Sequence, residues 1–229
     1  MAVIPAFMNY DTDSVPDAVK RAVEFVTGGD PDGARAALGS IDYSDLISGR
    51  RAALKSRRVR LTRQKIWGER PASKAMTVPR VQRAYSRRPV PISMMLSIFE
   101  RDHFTCRYSH CRKRTLYVPV LRALSKLLPD ALPYQSNWLP IDEHILYWTY
   151  GTSLEHRVSF PQGGTSEPEN LITACYQCND IKNMISGTDL GWEVEAERNG
   201  DWDGLNSYLC RLQHLGLSGS KNCVTSRRW

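Results

Sequence analysis

Residues 154–182 read LEHRVSFPQGGTSEPENLITACYQCNDIK, and the reading of this stretch decides the fold. It gathers a carboxylate, a histidine, two amides, two cysteines and a lysine. Glu155-His156 ends a short run that pairs as a strand. Gly163-Gly164 and the polar TSEPE segment make a loop, Leu171-Ile172-Thr173 supply the returning strand, and Cys178 onward starts a helix. A hairpin that runs straight into a helix brings the end of its first strand against the start of that helix. Glu155, His156 and Asn179 then converge. The expected fold class is α+β.

Outward from this core, six cysteines stand at 106, 111, 175, 178, 210 and 223. The first four form two close pairs far apart in the chain, a metal-knuckle pattern. Disulfides, or two pairs of buried free thiols, are the alternatives. Cys210 and Cys223 lack such spacing and read as ordinary thiols. His103 and His110 read as structural or surface groups, His110 being the substitute ligand should a cysteine drop out.

The order of these residues resembles the HNH nuclease family, whose core is a ββα-metal fold. The matching elements are Glu155-His156, the Pro161 and Gly163-Gly164 loop, Asn170 in ENL, and Cys175-x-x-Cys178-Asn179-x-x-Lys182. Upstream, RDHFTCRYSHC from Arg101 to Cys111 looks like the zinc-knuckle lead-in of the same family, so the likeness spans about residues 90–192. The resemblance implies a metal-dependent endonuclease acting on DNA, with RNA not excluded. It makes His156 the general base that activates water and Asn170 the amide that holds the loop and orients that histidine. Glu155 and Asn179 become ligands of a catalytic Mg²⁺ or Mn²⁺, hard cations that take oxygen donors. Cys106, Cys111, Cys175 and Cys178 become the ligands of a closed, structural Zn²⁺. Lys182, one turn beyond Asn179, and Arg157 are expected on phosphate. Two residues depart from the commonest family pattern: Glu155 stands where Asp is usual, and Asn179 where His is frequent. Successive strand residues face opposite sides, so Glu155 and His156 share a cleft only at a bulge or a strand end.

Charge supports a polyanionic partner. The chain carries +7 overall, but residues 50–88 hold fourteen Lys or Arg against the single acid Glu69, leaving the remainder net acidic. Arg57, Arg58, Arg60 and Arg63 in this segment are the expected phosphate contacts. A non-catalytic, zinc-stabilised nucleic-acid-binding protein is the rival reading, and an RNA-directed nuclease on the same scaffold a further one. No apolar run approaches the roughly 20 residues that span a membrane. The first residues lack a basic signal-peptide region, so a cytoplasmic location is expected.

The organisation expected along the chain has four parts. Residues 1–48 form a helical appendage: Val15, Ala18, Val19, Ala22, Val23 and Val26 share one face of a helix that ends at Gly28-Gly29. Asp30-Pro31 starts a second helix, and the pair reads as an appendage for packing or for docking a protein partner. Residues 49–90 form a basic helix and Pro-broken connector. Residues 91–192 form the nuclease domain with an insertion at 112–153, and residues 193–229 a helical tail.

Overall fold

The computed structural model describes residues 13–51, 90–134, 144–159, 162–182, 190–196 and 200–216. Arg57, Arg58, Arg60 and Arg63, the rest of the proline-broken connector, Pro161 and Cys223 lie outside the described residues.

Helix α1 (Ser14–Thr27) buries the six expected apolar residues along one face. Asp13 takes the N-cap position without capping, because its carboxylate accepts from Arg114 Nε at 2.9 Å instead. The same guanidinium reaches Asp17, so Arg114 ties the start of α1 to the chain after the second cysteine. Helix α2 (Pro31–Gly39) starts as its sequence requires. Asp30 Oδ1 accepts from Gly33 N at 2.8 Å, and Pro31 occupies the first turn. Residues 44–51 are helical as well.

Helix α3 (Ile92–Arg101) buries Ile98 and Phe99. Helix α4 (Val118–Leu127) has proline in its first turn, and α5 (Ile145–Tyr150) is buried throughout. The hairpin follows: β1 (Thr152–His156) pairs antiparallel with β2 (Leu171–Cys175). Helix α6 (Tyr176–Lys182) leaves β2 without a linker, two residues earlier than expected. Helix α7 (Leu209–Gly216) packs on α4 and α1. One apolar cluster joins Val19 and Val23 of α1, Phe99 of α3, Leu121 of α4, Trp148 of α5, Ala174 of β2 and Leu212 of α7. The architecture is α+β, a two-stranded ribbon within a shell of helices. Among the described residues no helix is long and apolar enough to cross a membrane. Cys210, expected as an ordinary thiol, is disulfide-bonded.

One carboxylate joins the end of α3 to the ribbon. Asp102 is 2 % exposed. It accepts from Arg101 at 2.9 and 3.1 Å, from Arg107, and from the Thr173 amide of β2 at 2.7 Å. Arg101 continues to Leu171 O at 2.8 Å, and Arg107 to Glu195 O. The RDHFTC lead-in is therefore a clamp: its acid holds β2 while the two arginines reach both sides. Removing one partner of a buried ion pair leaves charge without compensation. Asp102→Ala is expected to destabilise the protein by about 3 kcal/mol, read as a lower urea midpoint at unchanged slope. A loss below about 1 kcal/mol would show that the clamp carries no structural weight.

Candidate active site

The site grows from the hairpin register. Pairing runs uninterrupted from Thr152↔Cys175 to His156↔Leu171, so no bulge re-aims Glu155 or His156. Glu155 and His156 therefore alternate across the strand, the first buried and the second half-exposed. His156 is the last residue of β1, and beyond it Arg157 N donates to Asn170 O at 2.8 Å.

Glu155 points inward, 4 % exposed. Its Oε1 accepts from Lys182 Nζ at 2.9 Å, and the same ammonium donates to the carbonyl of His156 at 3.0 Å. Lys182 is fully buried. Expected on phosphate, it faces Glu155. Burial pushes the Glu155 carboxyl up to about 7, against the pull of the Lys182 charge and hydrogen bond. Its second oxygen, Oε2, is buried and makes no hydrogen bond.

One turn earlier on α6, Asn179 is held to the same strand. Its Nδ2 donates to Ser153 Oγ at 2.6 Å and to Leu154 O at 3.0 Å. Ser153 and Glu155 share a strand face, and Asn179 and Lys182 share a helix face. Helix and strand thus meet as two rungs, Asn179 to Ser153 and Lys182 to Glu155. Glu155 brings a carboxylate oxygen without a hydrogen bond and Asn179 an amide fastened to the same strand, oxygen donors of the kind a hard divalent cation takes.

The His156 ring is half-buried, with Nε2 3.3 Å from Ser166 Oγ. Burial first, and the Lys182 ammonium second, lower its pKa below the usual histidine value, which favours neutral imidazole. Asn170 sits where the loop needs a staple. Its Oδ1 accepts from Val158 N at 2.9 Å, and its Nδ2 donates to Val158 O at 3.0 Å and to Thr165 O at 2.7 Å. Gly164 completes the loop, since a side-chain carbon there would lie 1.8 Å from Val158 O.

Arg157 is exposed and lines a cleft of about 880 Å³ between this loop and Trp192. Glu167, Glu169 and Glu193 line it too, so the cleft is net acidic and draws no polyanion on its own. The basic stretch 50–88 begins at Arg50. Arg50 lies 6.0 Å over the Trp148 ring, and Trp148 Nε1 donates to Asp180 Oδ2 of α6 at 3.3 Å. Arg50 therefore starts that segment two contacts from Asn179.

Cys106, Cys111, Cys175 and Cys178 are all buried, with their sulfurs within 4.8 Å of one another and Cys111 and Cys175 at 3.7 Å. Four thiolates at the Zn–S distance of about 2.3 Å stand roughly 3.8 Å apart, so the cluster fits tetrahedral zinc. His110 Nε2 lies 3.7 Å from Cys178 Sγ but is not among the ligand atoms that all lie within 4.8 Å of one another, so it borders the four-cysteine cluster. His144 is a packing residue, accepting from Leu146 N at the start of α5 and meeting Tyr43 edge-on.

Sequence reasoning missed three residues here. The Tyr108 hydroxyl is buried without a hydrogen bond, and the Glu155 charge acts on it. Ser166 was read only as loop. Lys113, which looks like one more surface cation, is buried.

No curated protein and no solved structure matches the chain. Residues 142–184 match the family model described as HNH endonuclease, a range that holds β1, the loop, β2 and α6. That match supports nuclease-type function in general, and with the hairpin, the helix and the cysteine cluster it shows that this chain carries an HNH-family domain.

Proposed function

We propose that the protein is a metal-dependent endonuclease that hydrolyses phosphodiester bonds in DNA. The observation that carries this reading is the buried, unbonded Oε2 of Glu155, on the strand to which Asn179 is fastened and which ends at His156. A buried carboxylate oxygen without a partner costs free energy unless something else meets it.

Glu155 and Asn179 would hold Mg²⁺ or Mn²⁺. Bound there, such an ion polarises the scissile phosphate and neutralises charge developing on the leaving 3′-oxygen. His156, kept neutral by burial and by Lys182, accepts the proton of the attacking water. Ser166 and the Asn170 staple fix the ring and the loop around it, and a fixed base is worth more than a mobile one. Lys182 guards Glu155 while no cation is bound. Once released from Glu155 it is close enough to meet phosphate oxygens. The four cysteines would hold Zn²⁺ as a structural pin between the lead-in clamp and α6. Affinity comes from the segment at 50–88, with Arg57, Arg58, Arg60, Arg63 and Arg157 on phosphates.

His156→Ala is expected to cut supercoiled plasmid at least a hundredfold more slowly in Mg²⁺, with DNA binding retained; cleavage at the wild-type rate would remove His156 from the base role. Running the same assay on RNA decides the substrate. RNA cut faster than DNA would overturn the DNA reading, and neither being cut would favour the non-catalytic binding protein.

Charge reversal at Arg57, Arg58, Arg60 and Arg63 together should weaken DNA binding. The slope of log affinity against log salt should become shallower by roughly three to four. A slope that does not move excludes this segment from the interface. For the loop, Asn170→Ala should speed hydrogen exchange of the Val158 amide by about tenfold or more, and cleavage should fall with it. Unchanged protection would mean that the loop holds without its staple.

A further inference from the structure

Lys113 is fully buried, and the Glu155–His156 site makes no use of it. Its backbone is fixed by the knuckle, with Cys106 N donating to Lys113 O at 2.9 Å. Its ammonium donates to Gln177 Oε1 at 2.5 Å and lies 5.3 Å over the Tyr150 ring. Gln177 stands between Cys175 and Cys178 in sequence. The ammonium therefore donates to the side chain of the residue held between two cysteines of the cluster.

Burying an ammonium is costly without a counter-ion. Four thiolates around one Zn²⁺ leave a net charge of minus two, also buried. Each charge offsets the cost of the other. We infer that Lys113 is a fixed counter-charge built into the knuckle, halving the net charge of the tetrathiolate centre and so retaining its metal. This is a positioning role, since the lysine touches no metal and acts through the sulfurs. It rests on the reading of the cluster as a zinc site, and the test separates the two.

The full-length chain is loaded with Zn²⁺, its metal content measured, and its release into an excess of a chelating dye followed. The wild-type chain should hold one tightly bound zinc; a chain that holds none overturns the zinc reading and this inference with it. With zinc present, Lys113→Gln should release it at least tenfold faster, while Lys113→Arg stays within about threefold of wild type. Cobalt in place of zinc gives a readout that packing does not move. Without the nearby positive charge the thiolate-to-cobalt charge-transfer band should shift to lower energy in Lys113→Gln and hold still in Lys113→Arg. Wild-type release together with an unmoved band in Lys113→Gln overturns the inference. Should Lys113→Gln fold only in excess zinc, the inference is supported, because mass action then replaces lost affinity. Should Lys113→Gln and Lys113→Met both stay unfolded at saturating zinc, the inference fails and Lys113 is a packing element.

Discussion

A ribbon of two strands, five residues each, does not hold itself together in water. Everything else in this chain answers to that constraint. Helix α6 crosses one face of the ribbon and is fastened to it twice, by the Asn179 amide and the Lys182 ammonium. From the α3 side, Asp102 takes the β2 amide of Thr173 into a buried ionic cluster. The cysteines close the third side, two from the lead-in and two from the corner where β2 becomes α6. A ribbon braced in these ways has one end left to present, and that end carries His156.

The fastening between Lys182 and Glu155 differs in kind from the others. A buried ion pair contributes little net stability once desolvation is counted, and this one leaves a carboxylate oxygen unmet. Glu155 sits with its pKa pushed up to about 7, so its negative charge is held at a cost. A site that is energetically satisfied resists change; this one would gain from a cation with more charge and more open coordination positions than an ammonium offers. Asn179 shows the opposite economy. Its amide nitrogen is bonded twice to the strand.

Much of the frame was legible before any coordinates. The apolar stripe of α1 repeats every three or four residues and is buried as read, and Asp30-Pro31 starts α2 by its own chemistry. Glu155-His156 ends β1, and the two cysteine pairs meet although 63 positions separate them. What stayed hidden were contacts with no period. Lys182 reads as a phosphate contact and Lys113 carries no signal, because lysine usually faces solvent, and only tertiary packing turns both inward. Arg101, Asp102 and Arg107 spell part of a motif, but the amide that Asp102 accepts from lies 71 residues on. The short pairing of Tyr108 with Val194 leaves no alternation to detect. Helix α6 starts at Tyr176 because the chain turns at Cys175, where a sulfur in the cluster fixes the corner.

Chemistry and affinity in this chain meet at α5. Trp148 lies under the Arg50 guanidinium and donates to Asp180, the neighbour of Asn179. Arg50 opens the stretch of fourteen cations, so that stretch starts on a residue stacked over the indole that bonds to the helix of the candidate site. The indole contact is tolerant of geometry, since a cation is held over a ring face by a broad attraction.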